Sequence, residues 1–202
     1  MQIIGEKKIN IVHIISALQE GKTLVYPTET CYGLGCDATN PSAVEKIYEI
    51  KERPKEKSLI LIAASLDMME PYITISYLLS HISKNYWPGP LTVVVPIKQD
   101  VALPSGVVRD DGTIAFRVSS HPIAADISRA LGRPIVSTSA NIGGGANPYT
   151  IEEVVQAFRD KSHQPDILID AGELPRRAPS TVVRLVGDQI DMLRQGDIFL
   201  QM

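Results

Sequence analysis

The sequence predicts an α/β protein: an open, twisted, mixed sheet with helices packed on it. Three observations carry this expectation. Short apolar runs of strand length alternate with amphipathic stretches through the first two-thirds of the chain. Strands then dominate the last third. No internal repeat, low-complexity tract or linker interrupts the pattern, so 1–202 is expected to form one domain.

The elements follow in chain order. Ile11, Val12, Ile14, Ile15 and Leu18 recur at helical spacing, which predicts an amphipathic helix over 8–19 stopped by Gly21. Residues 23–26 read as a short buried strand. Asn40-Pro41 is a helix start, a capping side chain followed by a residue whose missing N–H costs nothing there. That helix carries Val44, Ile47 and Tyr48 and ends near 51–53, before Pro54. An apolar run over 59–64 predicts a strand, and 76–86 a helix ending at Trp87-Pro88-Gly89-Pro90. Residues 92–96 and 114–118 read as strands joined by a turn at Asp110-Asp111-Gly112. Pro122 begins a helix over 123–131; 134–137 is a strand; Gly143-Gly144-Gly145 is a flexible loop. Thr150 and Glu153 form a capping-box signature ahead of Val154, Val155 and Phe158. Strands at 167–170, 181–185 and 190–194 complete the pattern.

Composition excludes several classes. With 44% hydrophobic and 21% charged residues the chain is an ordinary globular protein, and the formal net charge of −3 gives no global basicity for nucleic acid. Cys31 and Cys36 are too few for a disulfide scaffold and fit no zinc spacing. His13, His81, His121 and His163 have no spacing partner for a metal or a catalytic triad. No apolar run reaches membrane-spanning length and the N-terminus is not a secretory signal, so a cytoplasmic protein without a membrane is expected.

Five segments carry chemistry, of which Ala178-Pro179-Ser180-Thr181-Val182-Val183 begins a strand with two hydroxyls that also read as a cap or turn, with Arg194 ending the next strand. Pro27-Thr28-Glu29-Thr30-Cys31-Tyr32-Gly33-Leu34-Gly35 gathers hydroxyls, a carboxylate and a phenol where a strand opens into a loop; alternation points Thr28 and Thr30 one way and Glu29 the other. Lys51, Arg53, Lys55 and Lys57 alternate, so an extended segment would aim them to one side, a row suited to polyphosphate or else a solvated loop neutralised by Glu52 and Glu56. Ser137-Thr138-Ser139-Ala140-Asn141-Ile142-Gly143-Gly144 leaves a short strand, with small residues that make room for a ligand beside backbone N–H groups, or simply a polar loop. Arg117 is alone in the apolar run Ile114-Ala115-Phe116-Arg117-Val118: facing inward it needs an anionic partner, facing outward it needs none.

Taken together and in order, Pro27-Thr28-Glu29-Thr30 with Tyr32-Gly33-Leu34-Gly35, Lys51-x-Arg53, Pro88-Gly89-Pro90-Leu91-Thr92, Arg117, Ser137-x-Ser139-Ala140-Asn141 and Pro179-Ser180-Thr181 resemble the YrdC-like family over roughly residues 8–200. The resemblance implies an open twisted α/β sheet with a concave, basic cavity. It implies an enzyme, threonylcarbamoyl-AMP synthase, that joins L-threonine, bicarbonate and ATP into threonylcarbamoyl-adenylate and releases pyrophosphate. Downstream threonylcarbamoyl-transferase proteins then modify tRNA, and direct contact with tRNA is left open.

By motif, the resemblance places ATP on Lys51, Arg53, Lys57, Thr113, Ser139, Asn147 and Arg194, with Asn141 closing the turn. Lys51 and Arg53 take the catalytic role of stabilising the leaving pyrophosphate. It places threonine on Thr30, Arg117, Ser137 and Ser180, with Arg117 on the carboxylate in a wet site where its guanidinium is solvated. No residue is assigned to a metal; Mg²⁺ is expected from the phosphate chemistry, held partly by ATP itself. The family often has proline where Ser58 stands and serine where Gly143 stands, and Ile62 and the chain length match its short type. Two other readings are an RNA-binding module, against which stand the net charge and an aromatic content of 5%, and a family sibling without this activity.

Overall fold

The apolar runs become the strands of a ten-stranded mixed sheet in a computed structural model that describes residues 1–200. The strands are β1 (Gln2–Gly5), β2 (Leu24–Pro27), β3 (Tyr32–Gly35), β4 (Ile60–Ala63), β5 (Leu91–Pro96), β6 (Thr113–Val118), β7 (Ile135–Ser139), β8 (Ile167–Asp170), β9 (Thr181–Val186) and β10 (Gln189–Arg194). Their order across the sheet is β1-β8-β2-β3-β7-β4-β6-β5-β9-β10. Pairs β1/β8, β2/β8, β4/β6 and β5/β9 are parallel and the others antiparallel. The mixed α/β sheet expected from the sequence is therefore the fold.

The helices are α1 (Ile11–Gln19), α2 (Pro41–Lys51), α3 (Tyr77–Tyr86), α4 (Pro122–Leu131) and α5 (Ile151–Phe158). Their ends follow the capping chemistry. Asn10, Asn40 and Ser76 each accept a hydrogen bond from the backbone three residues on, and Thr150 with Glu153 forms the full capping box. The helix expected from residue 8 starts at Ile11 because Asn10 caps it and 6–8 form a 3-10 turn.

Strand pleating sorts the core into two layers. Tyr26, Ile62, Ile135, Ile167 and Ile169 pack under α1 and α4. Their strand neighbours Val25, Leu61, Val136 and Leu168 point the other way, into the larger core with α2, α3 and α5. Each fully buried Ile or Leu contributes about 1.5–3 kcal/mol of transfer free energy. The strands β5, β6 and β9 send Val93, Phe116 and Val183 only into the larger core. Two strands differ from the sequence expectation. β1 adds to the sheet edge beside β8, and β3 occupies what reads as a glycine-rich loop. A side chain at Gly35 would overlap the Val136 carbonyl, so the residues that weaken β3 as a strand are the ones that let β7 approach it.

Candidate active site

Cross-strand register assembles one cavity on the α1–α4 side of the sheet. Gly33 pairs with Ser139, Ile60 with Ser137, and Ile62 with Arg117. In-register partners share a face, so these residues point together. Beyond the helices that cover Ile62 and Ile135, Gly33, Ile60, Arg117, Ser137 and Ser139 line a cavity of about 190 Å³, completed by Thr28, Thr30, Cys31, Arg53, Asn147, Ser180 and Arg194. Three arginines and no Asp or Glu stand among the lining residues.

The turn after β2 is tied by one hydroxyl. Thr28 Oγ1 donates to the Cys31 carbonyl at 2.7 Å and accepts from the N–H groups of Thr30 and Cys31. It also lies 3.0 Å from Thr30 Oγ1, so Thr28 and Thr30 face one way as alternation predicts. A Cβ at Gly33 would come within 3.2 Å of Thr28 Cγ2 and 3.4 Å of Ser137 Oγ, so the missing side chain keeps this wall open.

Glu29, between the two threonines, meets Arg117. Its Oε1 accepts from Arg117 Nε at 2.7 Å, and both side chains are about 95% buried, with relative exposures of 6% and 5%. Ser119 Oγ donates to Oε2 at 2.5 Å. Burial alone would push the Glu29 carboxyl up; the Arg117 charge and the Ser119 and backbone hydrogen bonds outweigh it and hold it below the usual range. Among the described residues the terminal nitrogens of Arg117 donate to no protein acceptor, while Arg117 lines the cavity. The guanidinium is thus gripped through Nε and open at its tip. This corrects the expectation of a solvated guanidinium: the side chain is buried because Glu29 supplies the anionic partner that burial demands.

Arg53 and Arg194 are anchored by carbonyls instead. Arg53 donates from Nε to the Lys57 carbonyl at 2.9 Å and from a terminal nitrogen to that of Ser58 at 3.0 Å. Arg194 donates to the Ser180 carbonyl at 2.9 Å and to Ser180 Oγ at 3.0 Å, and Ser180 Oγ lies 2.9 Å from Thr92 Oγ1. No carboxylate neutralises either one among the described residues.

Lys51 stands behind the cavity. Its ammonium donates to the Ser139 carbonyl at 2.5 Å and to the Asn141 carbonyl and Oδ1 at 2.8 Å each. Asn141 completes the knot: Oδ1 accepts from Ser139 Oγ, and Nδ2 donates to the carbonyls of Gly145 and Ala146. Burial and the neighbouring Arg53 pull the Lys51 ammonium down to about 7. Yet three oxygens aimed at one nitrogen require three N–H donors, so this arrangement holds the charged form.

Of the sequence-derived candidates, Arg53, Ser139, Asn147, Arg194, Thr30, Arg117, Ser137 and Ser180 line the one cavity; Lys51, Lys57, Thr113 and Asn141 do not. The row of cations on one side does not form. α2 ends at Lys51 and Glu52 adopts a left-handed backbone at φ 49°, which turns Lys51 inward and Arg53 toward the cavity. Lys55 pairs with Glu45 at 2.6 Å and Lys57 is exposed. Thr113 shares the Arg117 face of β6 but lies four residues away, roughly 13 Å along the strand, bonded to Asp111. The Glu29–Arg117 pair is the feature that sequence reasoning missed. Its one signal is that a lone arginine in an apolar strand needs an anion, with Glu29 between the two threonines as a candidate.

An α/β sheet whose cavity joins hydroxyls to three guanidinium groups defines a binder of small anionic substrates. A family model named Sua5_yciO_yrdC and described as "Telomere recombination" matches residues 16–196. The chain belongs to this Sua5/YciO/YrdC family. It is 45% identical over 193 residues to threonylcarbamoyl-AMP synthase of Photobacterium profundum, a match that covers 93% of this chain and 99% of that one. The crystal structure of P. abyssi Sua5 complexed with L-threonine superposes with a TM-score of 0.84 at 34% identity, over 96% of this chain and 57% of that chain. The chain thus spans a little over half the length of that protein. The crystal structure of E. coli YciO superposes with a TM-score of 0.82 at 28% identity, over 97% of this chain and 95% of that one.

Proposed function

We propose that this chain is a threonylcarbamoyl-AMP synthase, which condenses L-threonine, bicarbonate and ATP into threonylcarbamoyl-adenylate and pyrophosphate for tRNA modification. The observation that carries this reading is one cavity holding the open tip of Arg117 with the hydroxyls of Thr30, Ser137 and Ser180, beside Arg53 and Arg194. Relatives named threonylcarbamoyl-AMP synthase support it at 45% and 40% identity.

The chemistry needs positioning and charge more than a protein nucleophile. The guanidinium tip of Arg117 takes the threonine carboxylate through two parallel hydrogen bonds. Thr30, Ser137 and Ser180 meet the substrate hydroxyl. Bicarbonate takes up a proton and loses water to give CO₂, and the neutral threonine amine bonds to its carbon while releasing one N–H proton, giving a carbamate. A carbamate oxygen then attacks the α-phosphorus of ATP while the bond to the pyrophosphate oxygen breaks. Arg53 and Arg194 face the charge that grows on the leaving group. Ser139 and Asn147 line the nucleotide side, on a loop that Lys51 and Asn141 tie in place. The cavity wall offers hydroxyls and an amide but no carboxylate, and no metal-binding group of three or more His, Cys, Asp or Glu forms among the described residues. Mg²⁺ therefore enters as part of the substrate, on the phosphates of ATP.

The whole chain acts as one unit in this reading, since its first strand pairs with β8 and its last with β9. No helix of the described residues is long and apolar enough to cross a membrane, which is compatible with a cytoplasmic enzyme that passes its adenylate to a transferase. The test is incubation with Mg·ATP, labelled bicarbonate and L-threonine. Pyrophosphate and a labelled adenylate that both require threonine are expected; ATP turnover indifferent to threonine refutes the reading.

A further inference from the structure

Glu29 is a buried carboxylate that the mechanism above does not use. It does not itself line the cavity, but it holds Arg117, which does. Oε1 holds Arg117 Nε at 2.7 Å and Oε2 holds Ser119 Oγ at 2.5 Å. Ser119 in turn accepts from the His121 N–H at 3.2 Å, at the start of α4. The carboxylate is therefore fixed at the Nε edge of the guanidinium and leaves its terminal nitrogens to the cavity. Among the three arginines of the cavity wall, Arg117 has this counterion and Arg53 and Arg194 are bonded to neutral oxygens.

We infer that Glu29 is a positioning residue that partitions the substrates: it neutralises Arg117 at its Nε edge, reserving that guanidinium for a carboxylate and leaving the phosphates to Arg53 and Arg194. The inference rests on the synthase reading above. The physical reason is that attraction at a distance scales with ligand charge, and a triphosphate carries several charges where threonine's carboxylate carries one. A bare Arg117 would add to the field of Arg53 and Arg194, and the triphosphate would spread over all three. Arg117 is close enough to Arg194 for its charge to depress the proton affinity of the latter, second only to burial. Paired with Glu29, Arg117 adds less to that field than an uncompensated guanidinium would. What remains at short range is the planar two-donor fork, which selects by geometry, and a carboxylate fits it. Opposite charges placed to exclude the wrong partner give specificity rather than raw affinity.

The experiment is calorimetric titration with L-threonine, without ATP, in the presence and absence of inorganic tripolyphosphate. In the wild-type chain tripolyphosphate is expected to leave the threonine dissociation constant unchanged within about twofold. Glu29→Gln keeps an oxygen for Arg117 Nε but removes the charge. In that variant threonine alone should bind as tightly as in wild type or tighter. Tripolyphosphate at about ten times its own dissociation constant should then weaken threonine roughly tenfold, by mass action at a shared site. Ser119→Ala disturbs the same carboxylate without removing its charge and should behave as wild type toward tripolyphosphate. If Glu29→Gln weakens threonine by itself and gains no competition, Glu29 only packs the site and the inference fails. If Glu29→Gln loses its cooperative melt, Glu29→Asp decides: it keeps the charge, so exclusion of tripolyphosphate supports the partition and competition overturns it. Wild-type protein that binds no threonine would instead refute the functional reading itself, which separates the two failures.

Discussion

Replacing Lys51 by methionine tests the knot behind the cavity. Methionine keeps the length and apolar stem of lysine but deletes three hydrogen bonds, to the carbonyls of Ser139 and Asn141 and to Asn141 Oδ1. Asn141 Oδ1 retains Ser139 Oγ as a donor and the Ser139 carbonyl retains the Asn141 N–H at 2.9 Å, so among the described residues only the Asn141 carbonyl is orphaned. Each orphaned buried acceptor costs about 1–3 kcal/mol. Relief from burying an ammonium offsets part of that, leaving a net loss of about 1–2 kcal/mol. For a chain of 202 residues, about 1 kcal/mol moves the melting temperature by about 2–4 °C, so the variant should melt about 2–8 °C lower. ATP affinity should fall with it, because Ser139 and Asn147 ride on the loosened loop. Threonine affinity should fall less, because Thr30 and Arg117 stand on other elements. Differential scanning calorimetry with separate ATP and threonine titrations measures all three. A melting temperature within about 2 °C of wild type refutes the stability argument. Lost ATP affinity at unchanged stability would mean that Lys51 leaves its loop partners to touch the nucleotide.

Three further outcomes follow from the same geometry. Arg117→Lys keeps the charge but not the fork; steady-state assays should show the threonine requirement rising roughly tenfold or more with the ATP requirement unchanged, and a rise for ATP instead would place Arg117 with the phosphates. Valine, nearly isosteric with threonine, should be used about 10²-fold or more less well, because Thr30, Ser137 and Ser180 would be left facing a methyl group; comparable kcat/KM for the two amino acids contradicts a polar pocket. The Glu29 carboxyl is held below its ordinary value near 4.5, so its contribution to stability is fully present above that pH and is lost as pH falls through the folded value. Denaturant melts taken from pH 6 to pH 3 should therefore converge between wild type and Glu29→Gln at the acid end, and a constant gap would refute the linkage.

The helix starts at Asn40-Pro41 and Thr150, the stop at Gly21 and most strands were legible in the sequence because each is decided by neighbouring residues: a cap, a missing N–H, an alternation of apolar and polar side chains. The cavity residues were legible as types for the same reason, since Thr28 and Thr30 alternate and Ser137 and Ser139 are small hydroxyl residues leaving a short strand. β3 was not, because Gly33 and Gly35 argue against a strand until Tyr26 and Val136 are brought beside them. Neither was the separation of Lys51 from Arg53, which turns on a left-handed backbone at Glu52 that no local preference of glutamate suggests. Above all, the sequence by itself marked Arg117 as an arginine in need of an anion, and left open which one. Only the packing of β6 against the turn after β2, 88 residues away in the chain, supplies Glu29, because burying a guanidinium is tolerable only where the fold delivers a compensating charge, and that delivery is a property of tertiary contacts rather than of any segment.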